Sequence, residues 1–188
     1  EGKNTKNQIS QKFREKCAQI AFENTAYYES LISNWFNKKN MFISREKTVL
    51  PIKKISNLRY GENPHQKASL FKFSDNKFIK ISGKDLSYNN IIDAEIAIEL
   101  AGKFSESSCV ILKHGNPCGV ALDKKQNIAY SKALACDQTS AFGGIIAFNK
   151  IVKEKTAQEI SKIFTEVVIA PNFTEKAKKV LFSKKNLI

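Results

Sequence analysis

The sequence has few arginines and no long apolar run. Of its 31 basic residues only Arg14, Arg45 and Arg59 are arginine, and the net charge is +13 against 18 acidic residues. No stretch approaches the roughly 18 consecutive apolar residues that a membrane span needs. The polar start, which begins at Glu1 without a methionine, also lacks the apolar segment of a signal peptide. These absences argue against a membrane or secreted protein, and we expect a cytoplasmic globular chain.

Cysteine is sparse and its spacing shows no metal motif. Cys17, Cys109, Cys118 and Cys136 form neither a CxxC pair nor the paired spacing of a zinc site. Cys109 and Cys136 lie among apolar neighbours and are expected in the core. We therefore expect no metal and no disulfide framework.

The excess of lysine permits two interpretations. Clustered cations can bind nucleic acid by replacing its counterions, so an RNA-binding basic module is one alternative. The lysines are instead scattered along the chain, with no stacking motif of the RRM kind. A solvated lysine-rich surface is favoured, and no nucleic-acid partner is expected.

The first 57 residues predict helices followed by a linker. Apolar residues at helical spacing predict two helices within residues 7–38, separated at Asn24-Thr25, where a new N-cap could begin. Residues 40–57 contain Pro51 and show no clear periodicity, which is typical of a linker or surface crossover. The last residues, Asn186 to Ile188, begin another apolar run, so we expect both ends of the chain to be cut.

From Ser69 onward the chain contains short β-rich runs, which alternate with helical stretches from the third run on. This alternation predicts an α/β layered architecture with partly parallel strands. The predicted strands are Ser69–Phe73, Phe78–Ser82, Cys109–Lys113, Gly144–Phe148 and Val167–Ile169; the predicted helices are residues 90–104, 126–136, 153–164 and 173–183.

A lysine and a histidine follow the most apolar of these strands. Ligands of open α/β sheets bind beyond strand ends, and Lys113-His114 stand at such an end, before a turn expected from Gly115, Pro117 and Gly119. A neighbouring ammonium disfavours the charged imidazolium, which would leave His114 a neutral base while Lys113 stabilises a developing oxyanion. The alternative is a solvated lysine and an incidental histidine in a tight turn.

Three further loops carry ligand-binding residue types. Arg59, beside Tyr60, offers a planar fork for a phosphate in a chain that otherwise uses lysine. Asn90 stands at a helix start, where it could cap the helix or bind a ribose or phosphate. Phe142 and Gly143 could stack on and admit a nucleotide. Each loop also permits a purely structural interpretation as a polar loop, a cap or a glycine turn.

The four loops together resemble the AICAR transformylase/IMP cyclohydrolase family of bacteria. The matching blocks, in the family's order and at similar spacing, are Leu58–Gln66 (LRYGENPHQ), Gly83–Asn90 (GKDLSYNN), Lys113–Gly119 (KHGNPCG) and Ser140–Asn149 (SAFGGIIAFN). The resemblance implies that residues 1–40 are the closing helices of the cyclohydrolase domain and 41–57 a linker. Residues 58–188 would be the first half of the transformylase domain, with a cytidine-deaminase-like α/β fold.

The resemblance also implies an activity and a set of site residues. The reaction is formyl transfer from 10-formyltetrahydrofolate to the amine of AICAR, giving FAICAR, which the parent enzyme cyclises to IMP. A homodimer with a site shared between subunits is implied, and this length of chain alone is expected to be inactive. The implied base is His114, with Lys113 stabilising the transition state; Arg59, Tyr60, Asn90, Gly143 and Glu166 contact the nucleotide; and Asn63, His65, Asn116 and Phe142 support the site.

Two further rivals remain beside the RNA-binding alternative. Pro117-Cys118 matches half of the zinc motif of nucleobase deaminases, but the second cysteine and the His-x-Glu element are missing. A non-catalytic dimerisation module is the other alternative.

Overall fold

The computed structural model describes residues 9–39, 47–73, 79–184 and 187–188, which divide into two compact units. The first unit contains a long helix and most of a two-stranded sheet. The second contains Asn57–Ser69 and all elements from residue 88 onward. Residues 7–8 of the predicted first helix, 40–46 of the predicted linker, Phe78 and Asn186 lie outside the described residues.

The first unit is built on one helix, α1, which spans Gln11–Lys39. The predicted break at Asn24-Thr25 is therefore wrong. The Asn24 amide and the Thr25 hydroxyl donate to backbone carbonyls four and three residues earlier, so both side chains bond within the helix instead of capping a new one. The sheet pairs β1 (Lys53–Asn57) with β2 (Ser69–Lys72). No strand was expected at β1, because its residues lack apolar alternation; in the structure all five are exposed.

The second unit is a four-stranded mixed sheet with helices on both faces. The strands lie in the order β4-β3-β5-β6; β3 is antiparallel to β4 and β5, and β5 is parallel to β6. The elements are α2 (Tyr88–Gly102), β3 (Ser108–Lys113), β4 (Asn116–Leu122), α3 (Gln126–Cys136), α4 (Gln138–Ala141), β5 (Ile145–Phe148), α5 (Glu154–Ile160), β6 (Val167–Ile169) and α6 (Glu175–Phe182).

Alternating side chains of the buried strands build two cores. Val110 and Leu112 of β3 face α2, where they pack in one cluster with Ala97 and Ala101. The intervening side chains face the opposite layer, where Cys109, Ile111, Ile146 and Phe148 pack against α3, α5 and α6. Because successive residues of a strand point to opposite faces, these uniformly apolar runs fit a sheet covered on both sides. The mixed α/β fold predicted from the sequence is confirmed.

Several local predictions are wrong, namely one strand, one helix end, part of one turn and the burial of one cysteine. Residues 79–82 are not a strand, and α5 ends at Ile160 instead of continuing to residue 164. Pro117 and Gly119 lie within β4, not in a turn. Pro117 is tolerated there because β4 is an edge strand, where a missing N–H costs no ladder hydrogen bond. Cys136, expected in the core, is exposed, whereas Cys109 is fully buried.

Gly119 is needed for close packing. A Cβ at this position would overlap the carbonyl oxygen of Ala133 on α3 and stand 3.1 Å from the Cβ of Cys136. The absent side chain therefore lets α3 lie directly on β4.

Among the helices that the structure describes, none is long and apolar enough to cross a bilayer.

Candidate active site

One edge of the sheet gathers most of the predicted site residues. The edge lies where β3 ends and where β5 and β6 begin, since β3 runs antiparallel to β5. Helix α2 runs back along β3, because the Ser108 hydroxyl at the start of β3 donates to the carbonyl of Ala101 near the helix end. The first turn of α2 consequently lies at the same edge, with the positive end of its dipole.

Lys113 and His114 stand at the tip of the β3–β4 hairpin. Lys113 pairs with Asn116, so His114 and Gly115 form a two-residue turn, and both have positive φ, 52° and 75°. Positive φ at both central residues is the signature of the type I′ turn that joins tightly twisted strands. The Asn116 amide donates to the His114 carbonyl at 3.1 Å, which further fixes the turn. The His114 side chain is exposed.

A buried aspartate holds this turn from the helix side. One carboxylate oxygen of Asp93 accepts the His114 N–H at 3.2 Å, and the other accepts the Gly115 N–H at 2.7 Å. Asp93 is 9% exposed and lies on α2, three residues after Asn90. Sequence reasoning missed Asp93. The available signal was its position one helical turn from Asn90, on the helix face that contacts the strand ends.

Lys113 contacts the loop that precedes β5. Its ammonium donates to the Phe142 carbonyl at 2.7 Å. The next residue, Gly143, has φ 72° and donates its N–H to the Phe164 carbonyl at 2.8 Å. The ring of Phe142 is 56% exposed and packs at 5.4 Å, centroid to centroid, on the ring of Phe164. The structure thus brings Lys113, Phe142 and Gly143 together.

Asn90 and Glu166 are joined directly. The Asn90 amide donates to Glu166 at 2.8 Å, and the Asn90 side-chain oxygen accepts the Ser87 N–H in a reciprocal capping box. Asn90 is 4% exposed, while Glu166 is partly exposed just before β6. The Glu166 N–H also donates to the Gly144 carbonyl at 3.1 Å. Asn90 therefore serves as a cap and fixes the Glu166 carboxylate.

Arg59 and Tyr60 lie beside the start of α2. The Arg59 N–H donates to the Leu86 carbonyl at 2.9 Å, and the Tyr88 N–H donates to the Tyr60 carbonyl at 3.2 Å. The guanidinium of Arg59 donates to the Tyr60 hydroxyl at 3.0 Å and lies 4.8 Å from the centroid of that ring. Both side chains are pre-aligned, with the exposed fork of Arg59 available to an anion.

Two predicted supporting residues lie in the loop that follows Tyr60. Asn63 closes a local turn, where its N–H donates to the Gln66 side chain and its carbonyl accepts the Gln66 N–H. His65 is exposed in the same loop, and no hydrogen bond joins its side chain to another residue in the described part of the chain. Their supporting role stays a prediction.

The Lys113 ammonium affects the Cys118 thiol on the neighbouring strand β4. Burial raises the pKa of the Cys118 thiol on β4, the carboxylate of Asp137 adds to the rise, and the Lys113 ammonium opposes it. Within residues 9–39, 47–73, 79–184 and 187–188, no group of three His, Cys, Asp or Glu side chains could hold a metal ion. The residues at this edge are suited to bind anions and polar ligands.

A layered α/β fold with a helix N-terminus, a cation and a histidine at one sheet edge is typical of enzymes that bind small anionic ligands there. The family described as AICARFT/IMPCHase bienzyme matches residues 1–188. The chain belongs to this family.

Curated relatives with high identity carry the name "Bifunctional purine biosynthesis protein PurH". The protein of Bradyrhizobium diazoefficiens is 47% identical over 184 residues, which cover 94% of this chain and 35% of the relative. That of Clostridium kluyveri is 47% identical over 188 residues, covering 97% and 37%. That of Caldicellulosiruptor bescii is 46% identical over 191 residues, covering 96% and 37%. The chain thus spans little more than a third of the length of these relatives.

Proposed function

We propose that the protein containing this chain acts in purine biosynthesis, transferring a formyl group from 10-formyltetrahydrofolate to the amine of AICAR. In the same proposal the enzyme also cyclises the product to IMP. The observation that supports it is the sheet edge where Lys113 donates to the Phe142 carbonyl at 2.7 Å, the Asn90 amide donates to Glu166 at 2.8 Å, and Asp93 accepts the His114 N–H at 3.2 Å. Asn90, Lys113, His114 and Phe142 lie in the blocks that resemble the family, and that family matches residues 1–188.

His114 is the proposed general base. The AICAR amine is a poor nucleophile because its lone pair is delocalised into the ring and the carboxamide, so removal of its proton is the demanding step. An exposed imidazole at a rigid hairpin tip can approach that amine and accept the proton.

Lys113 is proposed to stabilise the negative charge that develops during transfer. Its hydrogen bond to the Phe142 carbonyl uses one of three ammonium donors. The remaining two can point to a substrate oxygen. Because the first donor is anchored, the ammonium is positioned before the substrate arrives, which is the condition under which such charges accelerate a reaction most.

The nucleotide contacts are proposed for the groups around the start of α2. Arg59 would bind a phosphate through its planar fork, with Tyr60 holding it in place. Glu166 accepts the Asn90 amide on one oxygen, so its other oxygen is available to a hydroxyl or amine of the nucleotide. Gly143 would allow the nucleotide to approach the backbone closely, because glycine has no side chain and adopts its φ of 72° without strain.

The folate supplies the formyl carbon as co-substrate. The exposed ring of Phe142, supported by Phe164, fits a planar heterocycle at this edge.

Residues 58–188 are proposed to be the first half of a transformylase domain with a cytidine-deaminase-like layout. Residues 1–40 would close the cyclohydrolase domain, residues 41–57 would link the two, and the enzyme would be a cytoplasmic homodimer.

The proposal is tested by steady-state kinetics of the gene's full-length product. His114→Ala should lower kcat by about 10²- to 10⁴-fold, the usual contribution of a general base. Lys113→Met should lower it by about 10²- to 10³-fold, as loss of an oxyanion donor does. Lys124→Met, which removes an exposed lysine beyond β4, is the matched control. Unchanged formyl transfer in His114→Ala would exclude the proposed base.

A further inference from the structure

The hairpin tip carries a conformation that needs outside support. Among the residues that the structure describes, His114 is the one residue other than glycine with positive φ. This left-handed conformation is unfavourable for a residue with a Cβ and persists where the surroundings hold it. The hairpin ladder provides no partner for the His114 and Gly115 N–H groups, because its closing pair is Lys113 with Asn116.

Asp93 supplies that support from a separate element. Its two oxygens accept the two N–H groups at 3.2 and 2.7 Å. Two successive N–H groups that converge on an anion form a small concave site that favours negative charge. The carboxylate is almost fully buried on a fifteen-residue helix, so it cannot easily follow the turn if the turn moves.

We propose that Asp93 is a positioning residue that locks the His114-Gly115 turn in the conformation that presents the His114 imidazole to the substrate. The inference rests on the proposed role of His114 as base. Asp93 does not itself contact the reacting atoms. Its carboxylate fixes the backbone from which the imidazole projects, and small errors in the placement of a catalytic group cost large factors in rate.

The variant Asp93→Asn keeps the shape of the side chain but removes its charge and one of its two acceptor oxygens. An amide keeps one oxygen acceptor but turns an NH2 group toward the second backbone N–H, so one hydrogen bond is lost and two donors face each other. We expect kcat of the full-length enzyme to fall by about 10- to 100-fold, the factor that loss of one charge-assisted hydrogen bond corresponds to. KM for AICAR should stay within about threefold, because the phosphate and ribose contacts lie elsewhere.

Asp123→Asn is the matched control. Asp123 also accepts a backbone N–H, that of Lys125 at 2.8 Å, but at the opposite end of β4. It should leave kcat within twofold while causing a comparable change in melting temperature. Equal effects of the two variants on kcat, or an Asp93→Asn effect confined to melting temperature or to KM, would overturn the inference.

A double-mutant cycle separates Asp93 from the base itself. Single-turnover rates are compared for wild type, Asp93→Asn, His114→Ala and the double variant. If Asp93 acts through His114, Asp93→Asn should slow the His114→Ala enzyme by less than twofold. The same slowing in both backgrounds refutes the positioning role, whereas a normal rate in His114→Ala alone refutes the proposed base.

Discussion

Gly119 sets how closely α3 approaches β4, so a single added methyl group at this position should destabilise the fold. In Gly119→Ala the new Cβ would overlap the Ala133 carbonyl oxygen and stand 2.8 Å from the Ala133 carbonyl carbon. The Ala133 oxygen lies nearer still, and real Cβ contacts are essentially never shorter than 3.0 Å, so α3 has to withdraw by about 1 Å. A gap of that size removes a quarter to a half of the dispersion attraction across an interface.

The loss falls on residues that are fully buried. Ala129, Tyr130 and Ala133 on α3 pack in one cluster with Cys109 and Ile111 of β3. Overpacked cores lose about 1–3 kcal/mol and occasionally more, and the clash with rigid backbone leads us to expect about 2–4 kcal/mol here. Because 1 kcal/mol shifts the melting temperature of a chain of this size by about 2–4 °C, the expected decrease is about 5–15 °C.

The measurement is urea unfolding of the purified protein by circular dichroism, with amide hydrogen exchange of β4 as a local probe. Gly102→Ala provides the matched control, since no atom lies within 4 Å of its added Cβ at the end of α2. This variant should be neutral or stabilising by up to about 1 kcal/mol. A Gly119→Ala protein that loses less than about 1 kcal/mol, or a Gly102→Ala protein that loses as much, would refute the packing argument.

Three further outcomes follow from burial and hydrogen bonding. Ellman's reagent should modify the exposed Cys17 and Cys136 in the native protein but the buried Cys109 only after unfolding; rapid native labelling of Cys109 would contradict its placement. Burial raises the pKa of the Cys109 thiol and raises that of Tyr130 to about 12. The stability that each protonated group contributes is therefore complete below its unfolded pKa and is lost as the pH rises through its folded pKa. We expect the free energy of unfolding to fall above about pH 8.5 by ~1.4 kcal/mol per pH unit for the thiol, and a Cys109→Ala variant with an equally steep decline would disprove this origin. Asn90→Ala removes a capping box and a bond to a carboxylate and should cost about 2–4 kcal/mol in urea unfolding; a cost below about 1 kcal/mol would show that neither bond matters.

The central strands could be predicted from the sequence because burial leaves a local trace. The apolar runs at Cys109–Lys113, Gly144–Phe148 and Val167–Ile169 correspond closely to β3, β5 and β6. Helix α3 has the predicted bounds, 126–136. In these segments the hydrophobic pattern, the turn residues and the tertiary contacts agree, so local reasoning suffices.

The errors arise where distant contacts decide the conformation. β4 contains Pro117 and Gly119, which locally indicate a turn, but edge position accommodates the proline and the approach of α3 explains the glycine. All five residues of β1 are in exposed positions, and the strand leaves no apolar pattern. Asp93 looked like an ordinary helix surface residue, because its two acceptor bonds reach residues more than twenty positions away.

Within the candidate site, sequence reasoning named the groups but not how they are connected. Lys113 and Gly143 came from separate loops, and the structure joins those loops through the Phe142 carbonyl. The Asn90–Glu166 hydrogen bond likewise spans 76 positions in sequence. Such pairings depend on strand order, which a linear pattern does not contain.

The opening turns of α2 hold two parts of the molecule at once. Asn90 reaches the start of β6, and Asp93, three residues and about 4.5 Å further along the helix axis, reaches the tip of the β3–β4 hairpin. Helix α2 thus sets the separation between the Glu166 carboxylate at the start of β6 and the His114 imidazole at the end of β3. A shift of that helix would move both groups together, so their separation at this sheet edge depends on one element and not on independent loops.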